Sequence, residues 1–175
     1  APAIVRAQPV THSELDGAII EATVSYQTEG SRNGKHFSES SDIDWKIILG
    51  PGKTGFATAT TTTHGASGMR VGAPRPGSFT LGQSGPIKYF GGGQYLWTFE
   101  EGTLTYMRTF QAGAFKLQIV FARDGEELTC AVDTMLARQA GGAIRWKSER
   151  GEAEVEIISR KQTASRCRVT RRSPN

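Results

Sequence analysis

One arginine stands among aromatic residues. Leu104, Tyr106, Arg108 and Phe110 alternate with Thr105, Met107 and Thr109, and in a strand such alternation puts the first four on one face. A guanidinium turned inward among rings needs a counter-charge, because a buried unpaired charge is very costly. Two chemistries meet that need. One is an anionic group of a ligand held in a pocket; the other is a carboxylate of the chain itself, with Glu100 or Glu101 the nearest across the hairpin. Tyr26, Trp45, Tyr95, Trp97 and Tyr106, with Phe115 and Phe121, occupy the apolar faces of their own segments. Rings so placed either line a small-molecule site or fill a core. The candidate ligand set is therefore Arg108 as anchor, with Tyr106, Trp97, Tyr95, Trp45 and Tyr26 around it.

Other reactive residues do not assemble into a site. Gly52-Lys53-Thr54 matches only the end of a phosphate-binding loop. The glycine needed five residues earlier is Ile47, inside an apolar strand segment. Gly82-Gln83-Ser84-Gly85 and Gly65-Ala66-Ser67-Gly68 lack the surroundings of a serine nucleophile, and Thr63-His64-Gly65 supplies no convincing base. His12, His36 and His64 are scattered and no Cys-x-x-Cys occurs, so no metal and no cofactor is expected. Asp42 and Asp44 share one strand face and read as solvated. Thr58, Thr60 and Thr62 read as ordinary strand threonines.

Cys130 and Cys167 fall on apolar faces, and a bridge between them would tie the last strand to the middle of the chain. Together with a start at Ala1-Pro2-Ala3, which fits cleavage at a small-residue site, this leads us to expect export to a periplasmic or extracellular compartment. The formal charge is +4. Arg160, Lys161, Arg166, Arg168, Arg171 and Arg172 lie at the C-terminus with no acid among them and alone exceed it. Arg166, Arg168, Arg171 and Arg172 form a candidate basic surface for an anionic polymer or membrane, or else a solvated end. Nucleic acid is not expected, and no apolar run has the length of a transmembrane helix.

The elements that must position these residues have a period of two. Ile20, Ala22, Val24 and Tyr26 form one face; Ile43, Trp45, Ile47 and Leu49 a second; Tyr95, Trp97 and Phe99 a third. Phe115, Leu117, Ile119 and Phe121 follow, then Leu128, Cys130 and Val132. Alternation of this kind belongs to antiparallel strands buried on one side. Asn33-Gly34 marks a tight hairpin, and turn signals at Glu101-Gly102, Ala112-Gly113 and Asp124-Gly125 predict a four-strand meander over 94–132. Residues 64–93 are rich in glycine and predict one or two short strands within a lid-like loop. Asp133 with Gly141 predicts one short helix over 133–140. Further strands are expected over 143–147, 153–159 and 166–170.

We therefore expect a single all-β domain over 1–175, with an irregular segment over 1–16 and about nine or ten antiparallel strands. Closure into a barrel is preferred and a β-sandwich is the alternative. The meander and loop resemble the small barrels of the lipocalin type in shape only, since Gly17 is followed by Ala18 and Ile19 where those proteins carry Gly-x-Trp. The expected function is an exported, non-catalytic protein that binds a small apolar or amphipathic ligand in the barrel cavity. The alternative is a cell-envelope protein that engages an anionic polymer, membrane or protein partner through its surface and basic C-terminus. An enzyme ranks third, because no acid–base pair can be named.

Overall fold

The computed structural model describes residues 8–66, 68–72, 75–87, 93–110, 113–138, 144–148 and 151–171. Twelve strands run in chain order: β1 Ile19–Arg32, β2 Lys35–Leu49, β3 Thr54–Gly65, β4 Gly68–Val71, β5 Arg75–Thr80, β6 Ser84–Pro86, β7 Gln94–Glu100, β8 Thr103–Phe110, β9 Gly113–Asp124, β10 Glu127–Arg138, β11 Ile144–Ser148 and β12 Gly151–Thr170. A 3-10 turn at Ser13–Leu15 is the one helical element among the described residues. None there is long and apolar enough to cross a membrane.

The strands form two antiparallel sheets. One has the order β11-β12-β1-β2-β3-β4, with β5 also paired to β3; the other has the order β10-β9-β8-β7-β6. The expected closed barrel is corrected to two sheets whose inner faces pack on each other, a sandwich-like arrangement. The physical reason lies at the seam between β10 and β12, which side chains bridge where a barrel would need a main-chain ladder. Cys130 and Cys167 form a disulfide across it. The main-chain N–H and the hydroxyl of Thr134 donate to Gln162 Oε1 at 3.2 and 2.8 Å. On the other side, the Gly82 N–H donates to the Trp97 carbonyl at 2.7 Å and joins the segment after β5 to β7.

Local sequence explains most of the strands. Asn33 and Gly34 take φ of 51° and 82°, the left-handed pair that a two-residue hairpin requires. The meander β7–β10 runs in the expected order. The helix expected over 133–140 is corrected: β10 continues as strand to Arg138, with Val132 opposite Ile119, Thr134 opposite Leu117 and Leu136 opposite Phe115. Pairing with β9 overrides the local cap signal. The strands expected over 153–159 and 166–170 are parts of one long β12. Residues 64–93 supply β4, β5 and β6 and the end of β3, so this region holds more strand than expected.

The N-terminal segment closes one end of the space between the sheets. Val10 and Leu15 are buried, and the His12 ring meets Phe99 edge-on at 6.0 Å. Glu14 fastens this segment. Its carboxylate accepts bonds from Arg123 and from the Thr11 N–H and hydroxyl, while Arg171 donates to its carbonyl oxygen at 2.6 Å. The Arg123 bond first, and then the Thr11 N–H, bring the Glu14 pKa down from 4.5 to about 2. A carboxylate depressed in the folded state stabilises it above pH 4.5, and that contribution is lost as pH falls from 4.5 toward 2. Protection of the amides of residues 10–16, taken relative to the intrinsic exchange rate at each pH, should fall through this window, and Glu14→Gln should already show the lower protection at neutral pH. Equal protection in the two proteins would show that another contact holds the segment.

Candidate functional site

Halfway between the ends, the inner faces of the two sheets meet through rings. The Trp97 ring stacks on Phe79 at 4.3 Å and tilts against Tyr106 at 4.6 Å. Trp45, from the opposite sheet, meets Tyr106 at 5.5 Å and Trp97 at 6.2 Å, both edge-on. Trp97 is 4% exposed and Tyr106 8%. Three of the rings expected around a ligand, Trp97, Tyr106 and Trp45, are thus gathered in one place, and there they touch one another. Tyr95 reaches Tyr106 at 6.4 Å and also edges a surface cleft of about 550 Å³ beside Phe79 and Gln83. A side chain at Gly85 would place its Cβ 2.5 Å from the Tyr95 ring, so glycine lets this ring lie down on the sheet.

Beyond the rings, away from the N-terminal plug, the interior turns polar. Thr28 follows Tyr26 on the inner face of β1, opposite Arg160 of β12. Arg32 and Phe37 flank the hairpin, and Glu39, Ser41 and Ile43 come from β2. With Thr61 and Thr63 of β3, these residues enclose a pocket of about 150 Å³. Tyr26, one of the expected site residues, is 5% exposed and lines this pocket. That hydroxyl is buried with no hydrogen-bond partner among the described residues. Burial raises the Tyr26 pKa above its ordinary value; the Thr134 side chain, near enough to act on the hydroxyl as a hydrogen-bonding group though outside good bond geometry, lowers it, as does the Arg160 charge, while the Asp133 carboxylate raises it.

Sequence alone does not single out Arg160 as a site residue, yet it stands at this pocket. Its Nε donates to Thr28 Oγ1 at 3.2 Å, and its guanidinium lies 5.8 Å from the centre of the Tyr26 ring. The residue as a whole is exposed, but protein atoms crowd the guanidinium and lower its pKa. An arginine so far above neutrality stays charged. Glu39, the carboxylate on the lining, is engaged: Arg70 Nη2 donates to it at 2.9 Å and Arg32 lies 3.7 Å away.

Arg108 is half-buried on the inner face of β8, with its guanidinium 5.5 Å from the Phe115 ring centre. Its positive charge acts on both Tyr26 and Arg160. The expected pairing with Glu100 or Glu101 is corrected. Glu100 pairs with Thr103, while Arg108 pairs with Tyr95, which places them five residues and about 17 Å apart along the strand.

The basic residues divide. Arg168 donates to Glu21 at 3.1 Å and Arg171 to the Glu14 carbonyl, so both serve the fold. Arg166 is exposed on the outer face opposite Thr23, and Arg172 lies outside the described residues. Asp42 and Asp44 accept bonds from Ser25 and Thr23 at 2.5 and 2.7 Å on that same outer face. Among the described residues no group of three or more His, Cys, Asp or Glu is placed to hold a metal ion. Set against known proteins, the chain matches no family model, no curated protein and no solved structure.

Proposed function

We propose that this is an exported, non-catalytic binding protein, in which the two sheets act as one barrel-like frame around a small amphipathic ligand. The ligand's polar end enters the pocket beside Tyr26, and its apolar part leans on Phe37 and Ile43. The observation that carries this reading is the Tyr26 hydroxyl, on a residue that lines the pocket, buried and without a hydrogen bond among the described residues. Leaving such a group unpaired costs about 1–3 kcal/mol, a loss that a ligand acceptor offsets. The ring cluster favours an amphipathic ligand over a wholly apolar one, because the pocket beyond the rings carries Thr28, Arg32, Glu39, Ser41, Thr63 and Arg160 on its lining.

The neutral amphipathic fluorophore N-phenyl-1-naphthylamine provides the test. Saturable binding of one molecule per chain is expected, displaced by the natural ligand carried in a cell-envelope extract. Tyr26→Phe should leave the ligand-free protein as stable as before, or more stable by up to about 1 kcal/mol. It should weaken displacement by the extract about fivefold, the equivalent of one hydrogen bond. A large loss of stability in Tyr26→Phe would instead assign the hydroxyl to the fold. The envelope-surface alternative has less support, since Arg168 and Arg171 are engaged within the chain.

A further inference from the structure

We propose that the polar end of the ligand is an oxyanion, a carboxylate or phosphate group, received by Arg160 with the Tyr26 hydroxyl beside it; this rests on the ligand-binding reading above. The charge balance at the pocket is the first argument. Arg32 and Arg160 line it. Against them the lining offers Glu39, whose Oε1 already serves Arg70 and Arg32. Among the described residues no carboxylate makes ion-pair contact with Arg160, whose polar bond is to the neutral Thr28 hydroxyl. A cationic concavity of this sort concentrates anions.

Geometry and size agree with that balance. With Nε committed to Thr28, the terminal guanidinium nitrogens keep the planar donor fork that suits a carboxylate or phosphate. Ser41 and Thr63 on β2 and β3 hydrogen-bond each other at 3.2 Å, which leaves one hydroxyl proton of the pair to donate at the lining. A volume of about 150 Å³ admits a head group and little more. It lies below the usual span of roughly 300–1,000 Å³ for a pocket that encloses a whole ligand, so any tail must leave through the mouth.

Calorimetric titration of the full, oxidised chain separates the possibilities with three probes: octanoate, octan-1-ol and inorganic phosphate. Octanoate should bind one per chain, at least about tenfold more tightly than octan-1-ol, and less tightly as salt is raised. Arg160→Gln should weaken octanoate about tenfold or more and leave octan-1-ol unchanged. Arg166→Gln, on the outer face, should change neither. Phosphate binding as tightly as octanoate would support the oxyanion and identify a free anion as its source; phosphate binding more weakly identifies an amphipath. Equal affinity for octanoate and octan-1-ol would overturn the oxyanion while keeping a ligand-binding protein. Binding by none of the three would overturn both readings. An octanoate affinity that Arg166→Gln lowers and Arg160→Gln does not would move the anion to the outer surface and overturn the assignment. Thermal unfolding of each variant checks that it is folded, and Arg160→Lys, which keeps the charge without the fork, should be intermediate.

Discussion

Trp97→Ala should destabilise the protein by about 3–5 kcal/mol, the range for deleting a large buried aromatic. Trp97 is 4% exposed and sits where the two sheets meet, stacked on Phe79 at 4.3 Å and against Tyr106 at 4.6 Å, with Trp45 edge-on at 6.2 Å. Phe79 and Trp45 belong to one sheet, Trp97 and Tyr106 to the other, so the truncation removes contacts that hold the sheets face to face. Relaxation around the gap is limited. Gly55 lies directly beneath the Phe79 ring, so close that a side chain there would collide with it, and Phe79 cannot sink further toward its own sheet. Equilibrium urea unfolding, with the slope unchanged between the two proteins, reads the loss. A cost below about 1 kcal/mol would mean that the rings enclose empty space. The hollow interior expected from the sequence would then return, with Trp97 as a ligand wall.

Removing the disulfide by Cys130→Ala with Cys167→Ala should cost a further, comparable amount. The bridge joins residues separated by 37 positions, and the chain-entropy estimate for a loop of that size is about 3–4 kcal/mol. Its position adds a structural consequence. Among the described residues no main-chain ladder connects β10 to β12, so without the bridge the seam rests on packing and on the bonds from Thr134 to Gln162. Gln162 sits opposite Tyr26 on β1, so loosening the seam should also disturb the pocket. Unfolding of the wild type with and without a dithiol reductant, alongside the double variant, tests both points. The reduced protein and the double variant should agree with each other and fall below the oxidised protein. Identical curves for oxidised and reduced protein would show that the seam does not depend on the bridge.

The period-two pattern reaches as far as strand faces and turns. Ile20 to Tyr26, the Asn33-Gly34 hairpin and the meander from Gln94 to Val132 are legible because each depends on alternation or on a backbone conformation that few residues accept. The residues after Val132 mislead for a physical reason: Asp133 and the glycines beyond Ala140 are local helix signals, while the pairing of Thr134 and Leu136 with β9 is not local. Arg160 is hidden by parity. Counting in twos back from Cys167 puts Lys161 on the inner face, but β12 slips against β1 between Ser25 and Tyr26, which brings Gln162 and Arg160 inward. A bulge shifts the phase of every residue beyond it, and nothing in the local sequence announces this one. Arg108 is recognisable as an inward arginine, but nearness in sequence is a poor guide to its chain partner, since the strand register carries Glu100 well away from it. Strand number alone suggests a barrel, whereas closure depends on how the outermost strands meet.

The central claim, a pocket at the polar end that holds a ligand, is tested most directly by mass. Protein purified without reductant should be weighed under native and then denaturing conditions, before and after incubation with octanoate. The account predicts a native-only excess of one small molecule per chain, present on purification or gained with octanoate, and lost in Arg160→Gln. Identical native and denatured masses in every preparation, octanoate included, would contradict it.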